Sequence, residues 1–116
     1  MELNEYQKKA MSTCMASCNN HAYMLTGLIG EVGELFSKIA KGIRKEKTEI
    51  TNNMLVDGFT EEEKHDIKSE LGDCQWFIAG IAKTFGWSLE EVCQDNVDKL
   101  ASRQARGVID GDGDNR

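Results

Sequence analysis

Apolar residues recur three and four positions apart along most of the chain, which is the spacing of one face of an α-helix. The sequence contains no proline and little of the alternation that is typical of strands. Asn4 is a candidate N-cap for a first helix that runs towards Ala16, and a second helix is predicted from about His21 to Lys45. The polar segment 46–58 is predicted to be a loop.

Two capping boxes mark the starts of the remaining helices, because Thr60 and Ser88 are each followed three residues later by a glutamate. Gly86 is expected to end the third helix. We therefore predict an all-α, four-helix-bundle-like domain over residues 1–106, followed by a Gly/Asp-rich C-terminal tail over residues 107–116. The predicted core-facing residues are Leu25, Leu28, Val32, Leu35 and Ile39 in the second helix, and Ile67, Leu71, Cys74, Ile78 and Ile81 in the third.

The charge balance narrows the possible partners. Twenty acidic residues outnumber fourteen Lys and Arg, giving a net charge of -6, which disfavours binding to duplex nucleic acid. No apolar run reaches membrane-spanning length and the first residues do not resemble a signal peptide, so we expect no membrane partner, a cytoplasmic location and reduced cysteines. The spacing of Cys14, Cys18 and His21 leaves a zinc clip as a minor alternative.

Two pairs of acidic residues carry the candidate chemistry. Glu31 and Glu34 in the second helix, and Glu70 and Asp73 in the third, are each three residues apart, so the side chains of a pair emerge only about 60° apart. Two facing helices could therefore present four carboxylates to one or two hard cations. Glu70 lies within the apolar arc of its helix, where a lone carboxylate would be costly. The alternative is two solvated acidic faces.

An all-carboxylate set without histidine suits Mg²⁺, with Mn²⁺ as a possible substitute, better than zinc or copper. Di-iron bundles use Glu-x-x-His pairs, which are missing here. Gly27, Gly30 and Gly33 recur every three residues beside the first acidic pair; they could admit another helix or a substrate, or could serve close helix packing alone.

A polar, partly cationic strip is expected on the fourth helix, where Asn96, Lys99 and Arg103 recur at helical spacing. It could bind phosphate oxygens or could simply face solvent.

Three motifs occur in order: Gly30-Glu31-Val32-Gly33-Glu34-Leu35, then Glu70-Leu71-Gly72-Asp73, then Asn96-x-x-Lys99-Leu100-x-x-Arg103. Together they resemble the MazG-like all-α nucleoside triphosphate pyrophosphohydrolases, over roughly residues 25–103. The tail resembles the endings of small, single-domain phage-encoded members. The resemblance implies hydrolysis between the α and β phosphates of a nucleoside triphosphate, and a homo-oligomer, either a dimer or a tetramer.

The resemblance also implies roles for individual residues. Mg²⁺ would be held by Glu31, Glu34, Glu70 and Asp73. Glu34 is the candidate catalytic base because it is the more exposed ligand. Lys38, Lys99 and Arg103 would stabilise phosphate charge, and Asn96 would donate a hydrogen bond to the substrate. Phe36, Trp76 and Phe77 are candidates for stacking on a base, although such helix residues are more often core.

The sequence is also compatible with other functions. The substrate could instead be that of the related dUTPases or phosphoribosyl-ATP pyrophosphatases, with the same chemistry. A different class altogether is a catalytically silent helical module that binds a metal or a partner protein.

Overall fold

A computed structural model describes all residues, Met1–Arg116, as four α-helices and one β-hairpin. The helices are α1 (Leu3–Met11), α2 (His21–Arg44), α3 (Glu61–Thr84) and α4 (Leu89–Ala105), with a single 3₁₀ turn at Ala16–Cys18. The strands are β1 (Thr48–Thr51) and β2 (Met54–Asp57). The prediction of an all-α fold is confirmed, with the small hairpin as an addition.

Side chains cap the three long helices at their first turns. The Asn20 carboxamide oxygen accepts a hydrogen bond from the Tyr23 amide at the start of α2. Thr60 and Ser88 form complete capping boxes, each with the glutamate three residues later, as predicted. Gly86 follows α3 with a φ of +78°, a left-handed conformation that glycine adopts without strain.

The first helix is shorter than predicted. It ends at Met11 rather than near Ala16. The Thr13 hydroxyl donates to the Ala10 carbonyl, so a side chain satisfies a main-chain acceptor that a longer helix would have used. The N-cap prediction is also wrong: Asn4 lies inside α1, and its side chain bonds to both the carboxylate and the amide of Glu90.

The loop predicted for residues 46–58 is a β-hairpin instead. Antiparallel strands pair from Thr48 opposite Asp57 to Thr51 opposite Met54. Asn52 and Asn53 form the two-residue turn, with φ values of 54° and 63°. Asparagine tolerates positive φ better than most residues, and such turns match the twist of the paired strands. The Asn-Asn pair was therefore the local signal for this hairpin.

Helices α2 and α3 run antiparallel, since Met24 packs at Gly80 and Gly27 packs at Phe77. A Cβ at Gly27 would overlap the Phe77 ring, so glycine allows the two helices to pack closely there. The core is small and consists of Ala10, Met11, Met24, Phe77, Ala79 and Leu89. Trp76 ties α1 to α3, because its indole N–H donates to the Ala10 carbonyl at 3.0 Å.

One face of α2 has no covering element. Its outer stripe consists of Leu25, Ile29, Val32, Phe36 and Ile43, all of them exposed. The radius of gyration is 17.4 Å, against about 13 Å for a compact domain of this length. The predictions that Leu25 and Val32 face the core are therefore wrong, and Phe36, a candidate for stacking, is not a core residue. The same holds for Leu71 and Ile78 on α3, which are 53% and 38% exposed.

The physical reason is that α3 packs along only one side of α2, and β1 contacts only its C-terminal end, so a single chain leaves the outer stripe of α2 uncovered. No helix in the structure combines the length and the apolar character needed to cross a membrane.

Candidate metal centre

Three carboxylates converge where α2 and α3 pack together. One oxygen each of Glu31, Glu34 and Glu70 can be chosen so that all three lie within 4.8 Å of one another. The three-residue spacing puts the first two on one face of α2, and the antiparallel packing brings Glu70 opposite them. Asp73 lies outside this tight group. The structure thus gathers three of the four predicted acids and leaves the fourth beside them.

The three carboxylates differ in exposure. The Glu70 side chain is buried, at 11% exposed, Glu31 is half-buried and Glu34 is exposed. The Lys38 ammonium lies 3.3 Å from Glu70 Oε1 and forms the sole ion pair that any of the four acids makes. One positive charge therefore offsets part of a cluster that carries several negative ones.

The carboxylates of the cluster repel one another. Burial raises the pKa of Glu31, and the neighbouring charges of Asp73, Glu34 and Glu70 raise it further. Burial also raises the pKa of the Cys74 thiol, with added contributions from the charges of Glu31, Asp73 and Glu70. Since like charges disfavour each other's ionised forms, a bound cation would relieve the repulsion. The charge of Asp73 therefore reaches the cluster, although its oxygens are not part of it.

The donor set fits a hard divalent cation. Oxygen-only ligands, one of them buried, are what Mg²⁺ and Mn²⁺ prefer. No other group of three or more His, Cys, Asp and Glu side chains converges in this way. Cys14, Cys18 and His21 do not converge in this way, so the zinc alternative gains no support.

A cleft of about 320 Å³ opens beside the cluster, lined by Glu34, Ser37, Lys38 and Lys41. Lys41 is not among the substrate-binding residues predicted from the sequence. Its position three residues after Lys38 and seven after Glu34, on the same face of α2, was the signal that could have identified it. The cleft therefore combines an exposed carboxylate with two ammonium groups.

The predicted cationic strip of α4 is not joined to the acids by any ion pair. Lys99 and Arg103 both pair with Asp114 in the tail instead. Asn96 is exposed.

The three aromatic residues proposed for stacking on a base differ in burial. Phe77 is buried against Tyr23 and Trp76, with ring centroids 5.7 and 4.9 Å away, so it is a core residue. Trp76 is half-buried and its indole N–H is used within the fold. Phe36 is 65% exposed and free to contact another molecule.

Fold and cluster together define a mainly helical protein with a carboxylate site suited to a divalent cation. The family model of the MazG nucleotide pyrophosphohydrolase domain matches residues 19–108, and the chain belongs to this family. The match supports nucleotide pyrophosphohydrolase activity in general, and the family typically uses a divalent metal.

A relative, the Gene 37 protein of Mycobacterium phage L5, is 36% identical over 123 residues, covering 100% of both chains. The sequence resemblance to small phage-encoded members agrees with this relative. No solved structure matches the chain.

Proposed function

We propose that this protein hydrolyses a nucleoside or deoxynucleoside triphosphate to the monophosphate and pyrophosphate, with Mg²⁺ as cofactor and Mn²⁺ as a substitute. The observation that carries the proposal is the convergence of Glu31, Glu34 and Glu70 on the two central helices of a MazG domain. Lys38 offsets only one of these negative charges, and the remaining repulsion on the half-buried Glu31 favours a bound cation over a solvated acidic face.

The three clustered acids, with Asp73 as a fourth or outer ligand, would hold the cation. A divalent cation at this position supplies positive charge that neutralises the triphosphate and makes water more acidic. Glu34 is the proposed base, because it is the exposed member of the cluster and opens into the adjacent cleft. Its carboxylate would take the proton of the water that attacks the α phosphorus.

Lys38 and Lys41 line the same cleft and would bind phosphate oxygens. Lys38 pairs with Glu70 in the structure, so its ammonium would move to the phosphates once another cation neutralises that acid. Asn96, Lys99 and Arg103 remain proposed substrate ligands. A cytoplasmic location, where nucleotides and reduced thiols coexist, is part of the proposal.

The decisive experiment measures pyrophosphate release from a panel of canonical and modified ribo- and deoxyribonucleoside triphosphates with Mg²⁺. The variants are Glu34→Gln and Glu70→Gln, and Glu49→Gln on the hairpin is the control, since it removes the same charge from an exposed position without an ion pair. We expect both cluster variants to lose about 100-fold or more in kcat/KM, as for other groups that act directly on the transition state. The control should match the native protein.

Other outcomes identify the alternatives. Activity confined to dUTP would indicate a dUTPase-like substrate, and activity confined to phosphoribosyl-ATP would indicate that related substrate. If no nucleotide releases pyrophosphate while the protein is folded, the catalytically silent module is the better interpretation.

The proposed active form is a homo-oligomer, either a dimer or a tetramer. The outer stripe of α2 supports this proposal, because Ile29 and Phe36 are 76% and 65% exposed and lie on the same face two turns apart. The three- and four-residue spacing of the stripe is the pattern that packs against another helix. A second copy would cover it through the same surface, as closed dimers do.

Light scattering after size-exclusion chromatography tests the oligomer. We expect the native protein to be dimeric or tetrameric, Ile29→Asp to be monomeric, and Leu55→Asp on the hairpin to keep the native mass. A native monomer at micromolar concentration would overturn the proposal.

A further inference from the structure

The tail, residues 107–116, folds back on the end of α4. The Val108 amide donates to the Arg103 carbonyl at 2.9 Å, which starts the reversal. The Arg116 guanidinium then donates to the carbonyls of Val108 and Ile109 at 3.0 and 3.2 Å, and also to Gly113. The tail is thus a closed loop with defined internal contacts.

This loop places Asp114 on the cations of α4. Nη2 of Arg103 donates to Asp114 Oδ1 and to the Asp114 carbonyl, both at 3.0 Å, and the Lys99 ammonium lies 3.5 Å from the same Oδ1. Arg103 holds the pKa of Asp114 below its usual value, and Lys99 lowers it further. The tail carboxylate is therefore an anion bound to two cationic side chains of its own chain.

The contact leaves Arg103 incompletely satisfied. Its side chain is 6% exposed, yet its Nε has no hydrogen-bond partner. Guanidinium groups bind carboxylates and phosphates best through two parallel N–H donors, whereas here only Nη2 is used for Asp114. Buried donors without partners are unfavourable, so an anion that engages both Nε and Nη2 would gain an interaction that Asp114 lacks.

The two partners also differ in exposure. Asp114 is 83% exposed, so water can solvate its carboxylate as soon as the loop opens. Because water screens an ion pair whose anion is this exposed, Asp114 is easy to replace by another anion. A polyphosphate carries more negative charge than one carboxylate and can also contact Lys99.

We propose that the tail is a displaceable cover, in which Asp114 occupies Lys99 and Arg103 until a polyphosphate group takes its place. The inference rests on the proposed function only in naming a nucleotide's phosphate chain as the natural competitor. The cation pair itself, its internal anion and the open Nε donor are features of this chain.

The test is isothermal titration calorimetry with inorganic tripolyphosphate in the absence of divalent cations, on the native chain, Asp114→Asn and Asp112→Asn. Asp112→Asn is the matched control, since it removes the same charge from the same loop at an exposed residue that makes no ion pair. We expect Asp114→Asn to bind tripolyphosphate about two- to fivefold more tightly than the control, the range that corresponds to losing an exposed ion pair. Asp114→Ala should behave in the same way.

Equal affinities in Asp114→Asn, Asp114→Ala and Asp112→Asn would overturn the proposal, as would the absence of tripolyphosphate binding in all of them. The nucleotide assay separates this failure from that of the proposed function. If the native protein hydrolyses nucleotides but the variants bind tripolyphosphate equally, the proposed function stands and the displaceable cover is refuted. If Asp114→Asn binds tripolyphosphate more tightly but no nucleotide is hydrolysed, the displaceable cover stands and the proposed function is refuted.

Discussion

Replacing Glu31 with glutamine should stabilise the metal-free protein while weakening its response to Mg²⁺. Glu31 has the raised pKa that burial and three neighbouring acids produce, so at neutral pH its ionised form is less favourable in the folded chain than in the unfolded one. Glutamine has nearly the same shape without the charge. The substitution therefore removes repulsion and leaves the packing of α2 against α3 unchanged.

The expected size follows from the geometry. For oxygens within 4.8 Å of one another, Coulomb's law gives about 0.9 kcal/mol per pair in water and about 3.5 kcal/mol at an effective dielectric of 20. Glu34 is exposed and Lys38 offsets Glu70, so the lower figure is appropriate. We expect the free energy of unfolding to rise by about 1 kcal/mol in chelator, which raises Tm by about 4 °C for a domain of this size.

Mg²⁺ should reverse the order of stability. At one hundred times its dissociation constant, a ligand that binds only the folded state stabilises it by about 2.7 kcal/mol, equivalent to about 10 °C. The native protein should show this increase. Glu31→Gln should show much less of it, because a neutral amide oxygen is a weaker ligand for a hard cation than a carboxylate.

Thermal denaturation in EDTA and across a Mg²⁺ titration, at one fixed protein concentration, measures both effects. Glu49→Gln controls for the loss of one exposed acid. A lower Tm for Glu31→Gln in EDTA, or the same Mg²⁺-dependent increase as the native protein, would refute the electrostatic account of the cluster.

Two further predictions test the fold. In Gly27→Ala, the gain of about 1 kcal/mol in helix propensity is opposed by a cost of about 1–3 kcal/mol for overpacking against Phe77. In Gly30→Ala, the new Cβ has no atom within 4 Å, so this variant should be about 1 kcal/mol more stable than the native protein. Equal stabilities in urea would contradict this packing. The Lys47 ammonium and the Thr60 amide lower the pKa of Glu63 to about 2, so the stabilising contribution of its carboxylate is present above pH 4.5 and is lost as the pH falls towards 2. Glu63→Gln should lose less stability than the native protein between pH 5 and pH 2; an identical loss would argue against the ion pair.

The glycines show where a sequence pattern stops being informative. Gly27, Gly30 and Gly33 look equivalent in the sequence, and both close packing and access to the acids were open. The structure separates them, since Gly27 lies against Phe77 while the other two have open space around them. Which explanation applies depends on what lies opposite each position, and helical spacing carries no information about that.

The sequence by itself determined the features of this protein that depend only on neighbouring residues. Capping boxes at Thr60 and Ser88, and acids three residues apart on two helices, act within one turn of backbone, so their geometry follows from the helix itself. The local signal at Asn52 and Asn53 was also present, although the loop prediction did not use it.

Only the tertiary structure decided how these pieces meet. It left Asp73 outside the group of three carboxylates, placed Lys41 in the cleft and exposed one of the two apolar stripes of α2. It also brought Asp114 onto Arg103. Each of these depends on the packing angle and rotation of one element against another. That information belongs to pairs of distant residues, whereas periodicity describes one segment at a time.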